Sequence, residues 1–262
     1  IDTVSFTGSS EVGRMFMRYS GDSNLKGVGL EMGGKSPFIV LEDALLDDEL
    51  IEHAAMSAFW NGGQNCSANM RQLIATPLVD EFTGLILERV KAFKLGDPLD
   101  PATDIGSMIT KDHKEMVMSY IQSGVDEGAN MLTGGESDIP GYFIKPTVFE
   151  NITPEMKISR EEIFGPVLGI MPVKNAEEAL RIASNTDYGL HATVFTQNID
   201  QALYMARSLP CGTVSVNGFS EGDIKTPFGG YKQSGSLARD NGTEAIEQYL
   251  QTKTIWVQAK SG

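Results

Sequence analysis

Segments with a two-residue apolar period alternate with segments of helical period along almost the whole chain. Residues 4–7 form a strand-like apolar segment, whereas residues 47–59 place their apolar side chains on one face of a helix. Further strands are predicted at 71–76, 142–149, 167–173, 192–196, 213–217 and 252–257, and further helices at 14–19, 79–93, 111–127, 175–184, 200–208 and 244–250. Because parallel strands need crossover connections, this order predicts an α/β fold with a largely parallel sheet covered by helices.

Charge and cysteine content exclude several classes of partner. The 262 residues carry 21 Lys and Arg against 35 Asp and Glu, a formal net charge of -14. Such a chain repels phosphate backbones and anionic lipid, so we expect neither a nucleic-acid nor a membrane partner. The two cysteines lie far apart and the three histidines are scattered, so we expect no disulfide framework, no metal site and a reducing, cytoplasmic location.

A glycine-rich turn, Gly8-Ser9-Ser10-Glu11-Val12-Gly13, connects the first predicted strand to the first predicted helix. Backbone N–H groups and the helix dipole at such a turn can approach a phosphate or a cofactor. The turn matches neither G-x-G-x-x-G nor a P-loop, because Arg14 and Met15 stand where a P-loop has Lys and Ser or Thr. A tight turn that binds nothing is an equal alternative.

The sequence offers one candidate nucleophile, Cys66, in the loop Gly62-Gly63-Gln64-Asn65-Cys66-Ser67-Ala68. A cysteine in a glycine-rich loop after a helix is accessible, and free backbone amides there can stabilise an oxyanion. The alternative is a small buried apolar residue, which is what most lone cysteines are. Cys211, directly after Pro210 at a predicted helix end, is expected to be structural.

A candidate general base, Glu31, lies in Leu30-Glu31-Met32-Gly33-Gly34-Lys35-Ser36-Pro37. A carboxylate among apolar residues and glycines can act as a base because partial desolvation raises its pKa. The alternative is an ordinary loop ion pair between Glu31 and Lys35.

Taken together, segments of this chain resemble the aldehyde dehydrogenase superfamily in order and spacing. They are Phe6-Thr7-Gly8-Ser9-Ser10-Glu11-Val12-Gly13, Glu31-Met32-Gly33-Gly34-Lys35-Ser36-Pro37, Gly63-Gln64-Asn65-Cys66, Glu161-Glu162-Ile163-Phe164-Gly165-Pro166 and Pro227-Phe228-Gly229-Gly230-Tyr231-Lys232-Gln233-Ser234-Gly235. The resemblance covers Val4 to about Val257 and implies the C-terminal catalytic part of that superfamily.

This resemblance implies a role for each candidate. The Cys66 thiolate would attack an aldehyde carbon, and the thiohemiacetal would pass a hydride to a nicotinamide and leave a thioester. Glu31 would activate the water that hydrolyses the thioester to the carboxylic acid, and the backbone N–H of Cys66 would supply half of the oxyanion hole. Two other functions stay open: a cofactor-independent, thiol esterase-like activity at Cys66, and a non-catalytic interaction module.

The cofactor implied by the resemblance is NAD or NADP. The residues expected to contact it are Gly8, Ser9, Gly13, Met32, Glu162 and Phe164. Glu162 would bind the nicotinamide ribose, and Phe164 would pack against that ribose. Met32 replaces the usual Leu with little change in volume. Alternatively, Gly165-Pro166 is only a turn and Phe164 only part of the core.

The resemblance also implies a domain division. Residues 1–33 would be a remnant of the NAD(P)-binding domain, residues 34–234 the catalytic domain, and residues 235–262 a C-terminal helix and oligomerisation strand. Because the chain begins at Ile1 within a predicted strand, we expect a fragment of a longer homo-oligomeric enzyme that is inactive alone.

The substrate is expected to be a small aldehyde. The candidate substrate-binding residues are Trp60, Asn65, Phe219, Glu221 and Phe228. Glu221 and Asp223 would make the entrance acidic, which favours a cationic ω-amino aldehyde. Nearby sequence also resembles the γ-glutamyl-aminobutyraldehyde and aminoaldehyde branch. The alternative is that these two acids are solvated loop residues.

Overall fold

The strands and helices of the chain alternate as their apolar periods predict, and the computed structural model describes residues 1–259. The strands are β1 (Thr3–Gly8), β2 (Gly27–Met32), β3 (Pro37–Val40), β4 (Arg71–Ala75), β5 (Asn130–Glu136), β6 (Ile144–Glu150), β7 (Val167–Val173), β8 (Tyr188–Gly189), β9 (His191–Phe195), β10 (Thr213–Val216) and β11 (Tyr231–Lys232). The helices are α1 (Ser10–Gly21), α2 (Asp48–Phe59), α3 (Val79–Lys91), α4 (Lys111–Asp126), α5 (Lys157–Arg160), α6 (Ala176–Ser184), α7 (Ile199–Ser208) and α8 (Glu244–Glu247), with short 3-10 turns at Trp60–Gly63 and Thr76–Leu78.

A seven-stranded sheet in the order β10-β9-β3-β4-β7-β6-β5 forms the centre of the molecule. Its pairs are parallel except β5 with β6, so the predicted α/β fold with a largely parallel sheet is confirmed. Successive side chains of β3 point to opposite faces. Phe38 and Val40 pack against α2 and α3, whereas Ile39 packs against α6 and α7. Helices therefore cover both faces of the sheet.

Three helices begin at the caps that their sequences predict or provide. The side chain of Asp47 accepts a hydrogen bond from the Leu50 N–H at the start of α2. Asn175 caps α6, as its position in the sequence predicts, and Ser9 caps α1. The cap at Ser9 makes α1 begin at Ser10, four residues before the predicted start.

β1, α1 and β2 form a small parallel unit beside the large sheet, because within residues 1–259 these two strands pair with no other strand, although Glu31 of β2 makes an isolated antiparallel bridge to Gly235. Gly13 of α1 lies so close to β2 that an added Cβ would meet the Met32 sulfur at 2.2 Å. This contact fixes the first turn of α1 beside the end of β2.

The bridging segment, residues 229–236, connects this small unit to the rest of the molecule. The Met32 N–H donates to the Ser234 carbonyl at 2.8 Å, and the Ser234 hydroxyl donates to the Gly33 carbonyl at 2.6 Å. The same hydroxyl accepts from the Gly189 N–H of β8 at 2.9 Å. One serine therefore hydrogen-bonds both β2 and β8.

The C-terminal prediction needs correction. None of residues 251–259 is in a strand, although the sequence predicts one at 252–257, and α8 ends at Glu247 instead of residue 250. Trp256 is 87% exposed, because this segment has no neighbouring strand to supply hydrogen bonds and cover its side chains. Residues 260–262 of the predicted C-terminal region lie outside the described residues. In the described chain no helix is both long and apolar enough to cross a membrane.

Candidate active site

Cys66 lies in the loop that follows α2, half-buried, after the 3-10 turn at Trp60–Gly63. Gly63 in that turn has φ of +70°, and an added Cβ would lie 2.5 Å from the carbonyl oxygen of Gly165. Only glycine combines this backbone conformation with so close an approach. The Cys66 loop is therefore held against the segment that contains Glu162 and Phe164.

A hydrogen-bond network centred on Asn65 surrounds the Cys66 thiol. The Asn65 Oδ1 lies 3.8 Å from the Cys66 Sγ, accepts from the N–H of Ser67 at 3.3 Å and lies 3.1 Å from the Ser67 hydroxyl oxygen. The Asn65 Nδ2 donates to Glu221 Oε1 at 3.1 Å, and the Ser67 hydroxyl also donates to Glu221. Glu221 therefore contacts the residues on both sides of Cys66.

The charged side chains that act most on the thiol are acidic. Burial is the main reason that the pKa of Cys66 is raised to about 11, and the carboxylates of Glu221, Glu162 and Glu31 contribute to the rise. The thiol accordingly keeps its proton at neutral pH.

Glu31 lies near the end of β2, and it is only 8% exposed. Neither of its carboxylate oxygens has a hydrogen-bond partner within the described part of the chain, and Oε1 lies against the backbone of Gly229. Burial is the main reason that the pKa of Glu31 is raised to about 8; the charge of Asp240 contributes to the rise and that of Arg239 opposes it. Within residues 1–259 Glu31 makes no ion pair with Lys35, so that alternative is wrong.

Glu162 lies against the backbone at Gly33 and Gly34. Its Oε1 accepts from the Gly34 N–H at 3.1 Å, and an added Cβ on Gly33 would meet its Oε2 at 1.9 Å. Burial is the main reason that the pKa of Glu162 is raised. The buried Lys35 ammonium is also affected: desolvation lowers its pKa to about 7.

Phe164 has φ of +54°, an uncommon conformation for a bulky residue. Its carbonyl accepts a hydrogen bond from the Nε2 of His113 at 2.6 Å, and the two rings pack edge to face. His113, at the start of α4, therefore holds Phe164 in place, and nothing in the local sequence of either residue indicates this pairing.

The predicted substrate residues occupy different positions around the Cys66 loop. Asn65 and Glu221 contact it directly, whereas Trp60 is 56% exposed on the preceding 3-10 turn. Phe219 packs edge to face on His191, and Phe228 exchanges backbone hydrogen bonds with Asp240, whose charge acts on Glu31.

Sequence reasoning missed the buried residue that holds the Glu221 loop, His191. Burial lowers its pKa to about 4, so the ring is neutral at pH 7. Its Nε2 is 3.1 Å from the Ser220 carbonyl, and its Nδ1 is 3.4 Å from the Asn69 Nδ2. Sequence reasoning also missed Arg239, Asp240 and Ser67. The one signal for them is that they lie close in sequence to the recognised motifs. The described residues contain no cluster of three or more His, Cys, Asp or Glu side chains that could hold a metal ion.

Comparisons with known proteins show what this chain is similar to. The model of the aldehyde dehydrogenase family matches residues 1–255. Aldehyde dehydrogenase 1A1 of Gallus gallus is 46% identical over 98% of this chain and 50% of its own length. Aminoacetaldehyde dehydrogenase of Pseudomonas aeruginosa is 40% identical over 98% of this chain and 51% of its own length.

Solved structures show the same likeness in three dimensions. The aldehyde dehydrogenase KauB of Pseudomonas aeruginosa superposes with a TM-score of 0.96 at 42% identity, covering 99% of this chain and 53% of that one. The P. syringae indole-3-acetaldehyde dehydrogenase AldA, in complex with NAD+ and IAA, has a TM-score of 0.96 at 40% identity, with the same coverage. The chain spans about half the length of these relatives. On the family match and these likenesses, this chain belongs to the aldehyde dehydrogenase family.

Proposed function

We propose that this chain carries the catalytic residues for NAD(P)-dependent oxidation of an aldehyde to a carboxylic acid. The observation that carries the proposal is the convergence of three segments. Gly63 of the Cys66 loop lies against Gly165, and Glu162 lies against Gly33 and Gly34, two residues after Glu31. A thiol, a buried carboxyl and a second carboxylate are thus brought near one another, as acyl transfer followed by hydrolysis needs.

Cys66 is the proposed nucleophile. The thiol loses its proton to solvent, and the sulfur then adds to the aldehyde carbon: an S–C bond forms, the π pair of the C=O bond moves to oxygen, and the backbone N–H of Cys66 donates to that negative oxygen. Loss of hydride from that carbon then leaves a thioester on Cys66. When bound, the nicotinamide cofactor supplies the hydride acceptor.

Glu31 is the proposed base for hydrolysis of the thioester. A carboxylate takes a proton from the attacking water only when it is ionised, and the Glu31 pKa is about 8. Hydrolysis is therefore expected to accelerate as the pH rises through 8. In the full-length enzyme, Glu31→Gln should slow steady-state turnover while a first-turnover burst of NADH survives. Loss of the burst together with turnover would contradict this role.

The residues around Glu162 fit the nicotinamide end of a dinucleotide. Oε2 of Glu162 accepts no hydrogen bond from the described residues, so it can accept one from a ribose hydroxyl. The first turn of α1 lies beside Met32, because a Cβ on Gly13 would meet the Met32 sulfur, and the next residue, Gly33, lies against Glu162. Phe164 and Met32 complete the proposed NAD or NADP contacts.

The proposed domains are those expected from the sequence: residues 1–33 from a cofactor domain, 34–234 catalytic, and 235–262 for oligomerisation. Remote contacts to a dinucleotide supply much of its binding energy. We therefore expect the 262-residue chain alone to bind NAD weakly and to oxidise no aldehyde, which isothermal titration and NADH absorbance would measure. Micromolar affinity or measurable turnover would contradict this.

An ω-amino aldehyde is the proposed substrate. The Pseudomonas relative named for aminoacetaldehyde supports it, as do the acidic side chains of Glu221 and Asp223. In the full-length enzyme, 4-aminobutyraldehyde should have a higher kcat/KM than butyraldehyde, because a cation is attracted to this entrance. An equal kcat/KM for the two would contradict the substrate assignment but not aldehyde oxidation.

We further propose a homo-oligomer that uses residues 252–257, and a cytoplasmic location. The exposed apolar side chains of Ile255, Trp256 and Val257 support the first. The free thiols Cys66 and Cys211, and a rat relative named a cytosolic aldehyde dehydrogenase, support the second.

A further inference from the structure

The loop that contains Glu221 does more than line an entrance. Its carboxylate accepts hydrogen bonds from Asn65 Nδ2 and from the hydroxyl of Ser67, the two residues that flank Cys66. An amide bound through its nitrogen must turn its carbonyl oxygen the other way. The Asn65 Oδ1 consequently faces the Cys66 Sγ and the Ser67 N–H, so it can accept a hydrogen bond from the Cys66 thiol.

Contacts of the buried His191 hold the loop of Glu221 in this position. The ring of His191, neutral at pH 7, is held between the Asn69 amide and the Ser220 carbonyl, one residue before Glu221. Phe219 packs on the same ring with a centroid distance of 5.2 Å. These contacts hold the loop that carries Glu221 beside the Cys66 loop.

We propose that Glu221 is a positioning residue that keeps the resting Cys66 protonated, through the oriented Asn65 amide and its own negative charge, until a cation enters the site. This inference rests on the proposed function of Cys66 as the nucleophile. The positive charge of a cationic substrate or cofactor ring would therefore activate Cys66 when it enters the site. When the site is empty, the protonated thiol is protected from alkylation and oxidation.

The other charged groups around Cys66 do not replace Glu221. Glu162 and Glu31 face the thiol from two other segments and are also acidic. The cations beside them are Lys35, whose charge acts on Glu162, and Arg239, whose charge acts on Glu31. Among the described groups, Glu221 alone hydrogen-bonds to the neighbours of Cys66 and is the strongest charged influence on the thiol.

The test measures alkylation of Cys66 by iodoacetamide in the 262-residue chain, in a Cys211→Ser background that leaves one thiol. The thiolate displaces iodide and forms an S–C bond, while the thiol proton goes to solvent, so the rate follows the thiolate fraction. Rates are compared between pH 7 and pH 9.5 for the parent and for Glu221→Gln, Glu221→Asp and Asp223→Asn. Asp223→Asn is the matched control, because it removes the same charge from a carboxylate that bonds only within its own loop.

We expect Glu221→Gln to accelerate alkylation about three- to tenfold at each pH. This corresponds to a fall of about one unit in the thiol pKa. The higher thiolate fraction is partly offset, because a thiolate of lower pKa is a weaker nucleophile. Glu221→Asp should restore the slow rate and Asp223→Asn should leave it unchanged. Iodoacetate, an anion, should gain more from Glu221→Gln than neutral iodoacetamide does.

An unchanged or slower rate in Glu221→Gln would overturn the inference, as would equal acceleration by Asp223→Asn. Acceleration in Glu221→Asp as large as in Glu221→Gln would also overturn it, because it would indicate loosening of the loop. Aldehyde oxidation that persists in a full-length Cys66→Ala enzyme would instead contradict the proposed function, and would leave the alkylation comparison as it is.

Discussion

The buried carboxyl of Glu31 should make the stability of this chain depend on pH, and Glu31→Gln should remove that dependence. The ordinary pKa of a glutamate is 4.5, and burial raises that of Glu31 to about 8 in the folded chain. Below pH 4.5 the carboxyl is protonated in both the folded and the unfolded state. Between the two values only the unfolded chain has lost the proton, so the free energy of unfolding falls as the pH rises. Above pH 8 the carboxylate is ionised in both states, and the loss in the free energy of unfolding has reached its full size.

The size of the effect follows from the shift. Each pKa unit corresponds to about 1.4 kcal/mol, so a shift from 4.5 to about 8 sets an upper limit of about 5 kcal/mol. Water that enters when the carboxylate ionises makes the effect smaller than this limit. We expect the free energy of unfolding to change by about 2 to 4 kcal/mol. Glutamine does not titrate, so Glu31→Gln should become more stable relative to the parent, by this amount, between pH 4.5 and pH 8.5.

Urea denaturation followed by circular dichroism at both pH values measures the difference. Because other groups titrate in parent and variant alike, including Lys35 and His191, their contributions cancel in the comparison. Glu88→Gln, on the exposed side of α3, is the control and should change by less than about 0.5 kcal/mol. A Glu31→Gln variant whose stability relative to the parent is the same at both pH values would refute the reasoning.

Three further predictions concern the Cys66 loop and its supports. Iodoacetamide followed by mass spectrometry should label Cys66 before Cys211, because Cys211 packs on the apolar core beside α6 and α7 and its thiol donates to the Thr213 carbonyl, whereas Cys66 lies in a loop; earlier labelling of Cys211 would contradict this. Gly63→Ala should lower the free energy of unfolding by about 2 to 4 kcal/mol, measured in urea, because its Cβ meets the Gly165 carbonyl. In its control, Gly128→Ala, residue 128 also has positive φ but an added Cβ meets no other atom, so the free energy of unfolding should fall by only about 1 kcal/mol. Equal losses in the two variants would show that the contact with the Gly165 carbonyl is unimportant. Gly33→Ala should displace the Glu162 carboxylate and weaken NAD binding in the full-length enzyme by at least tenfold, whereas unchanged affinity would argue against Glu162 as a ligand.

Elements with a clear period and a cap could be predicted from the sequence. β7 has the predicted bounds, and α6 begins directly after its predicted cap, Asn175. β2 and β3 could not be predicted, because β2 contains two glycines and β3 is four residues long and begins with Pro37. β5 was also missed, since its glycines interrupt the apolar alternation. At residues 252–257 the side chains favour a strand, but the described chain has no neighbouring strand that pairs with this segment. Side chains that favour β structure indicate a strand only where such a partner is present.

The candidate site was only partly accessible to sequence reasoning. Cys66, Glu31 and Glu162 stand in recognisable motifs, but their hydrogen-bond partners come from distant parts of the chain. Glu221 contacts Asn65 across 156 positions, and His113 contacts Phe164 across 51. Local periodicity carries no information about such pairs, which depend on where the sheet brings its loops together.

The strand order places a condition on how this chain is synthesised. β3 lies between β4 and β9, and β9 emerges from the ribosome about 150 residues after β3. Until then one edge of a strand made wholly of buried residues has no hydrogen-bond partner. One edge of β3 therefore stays unpaired while α3 to α6 are translated. Chaperones that bind short apolar strands should be retained on nascent chains that end before residue 195 and released from longer ones.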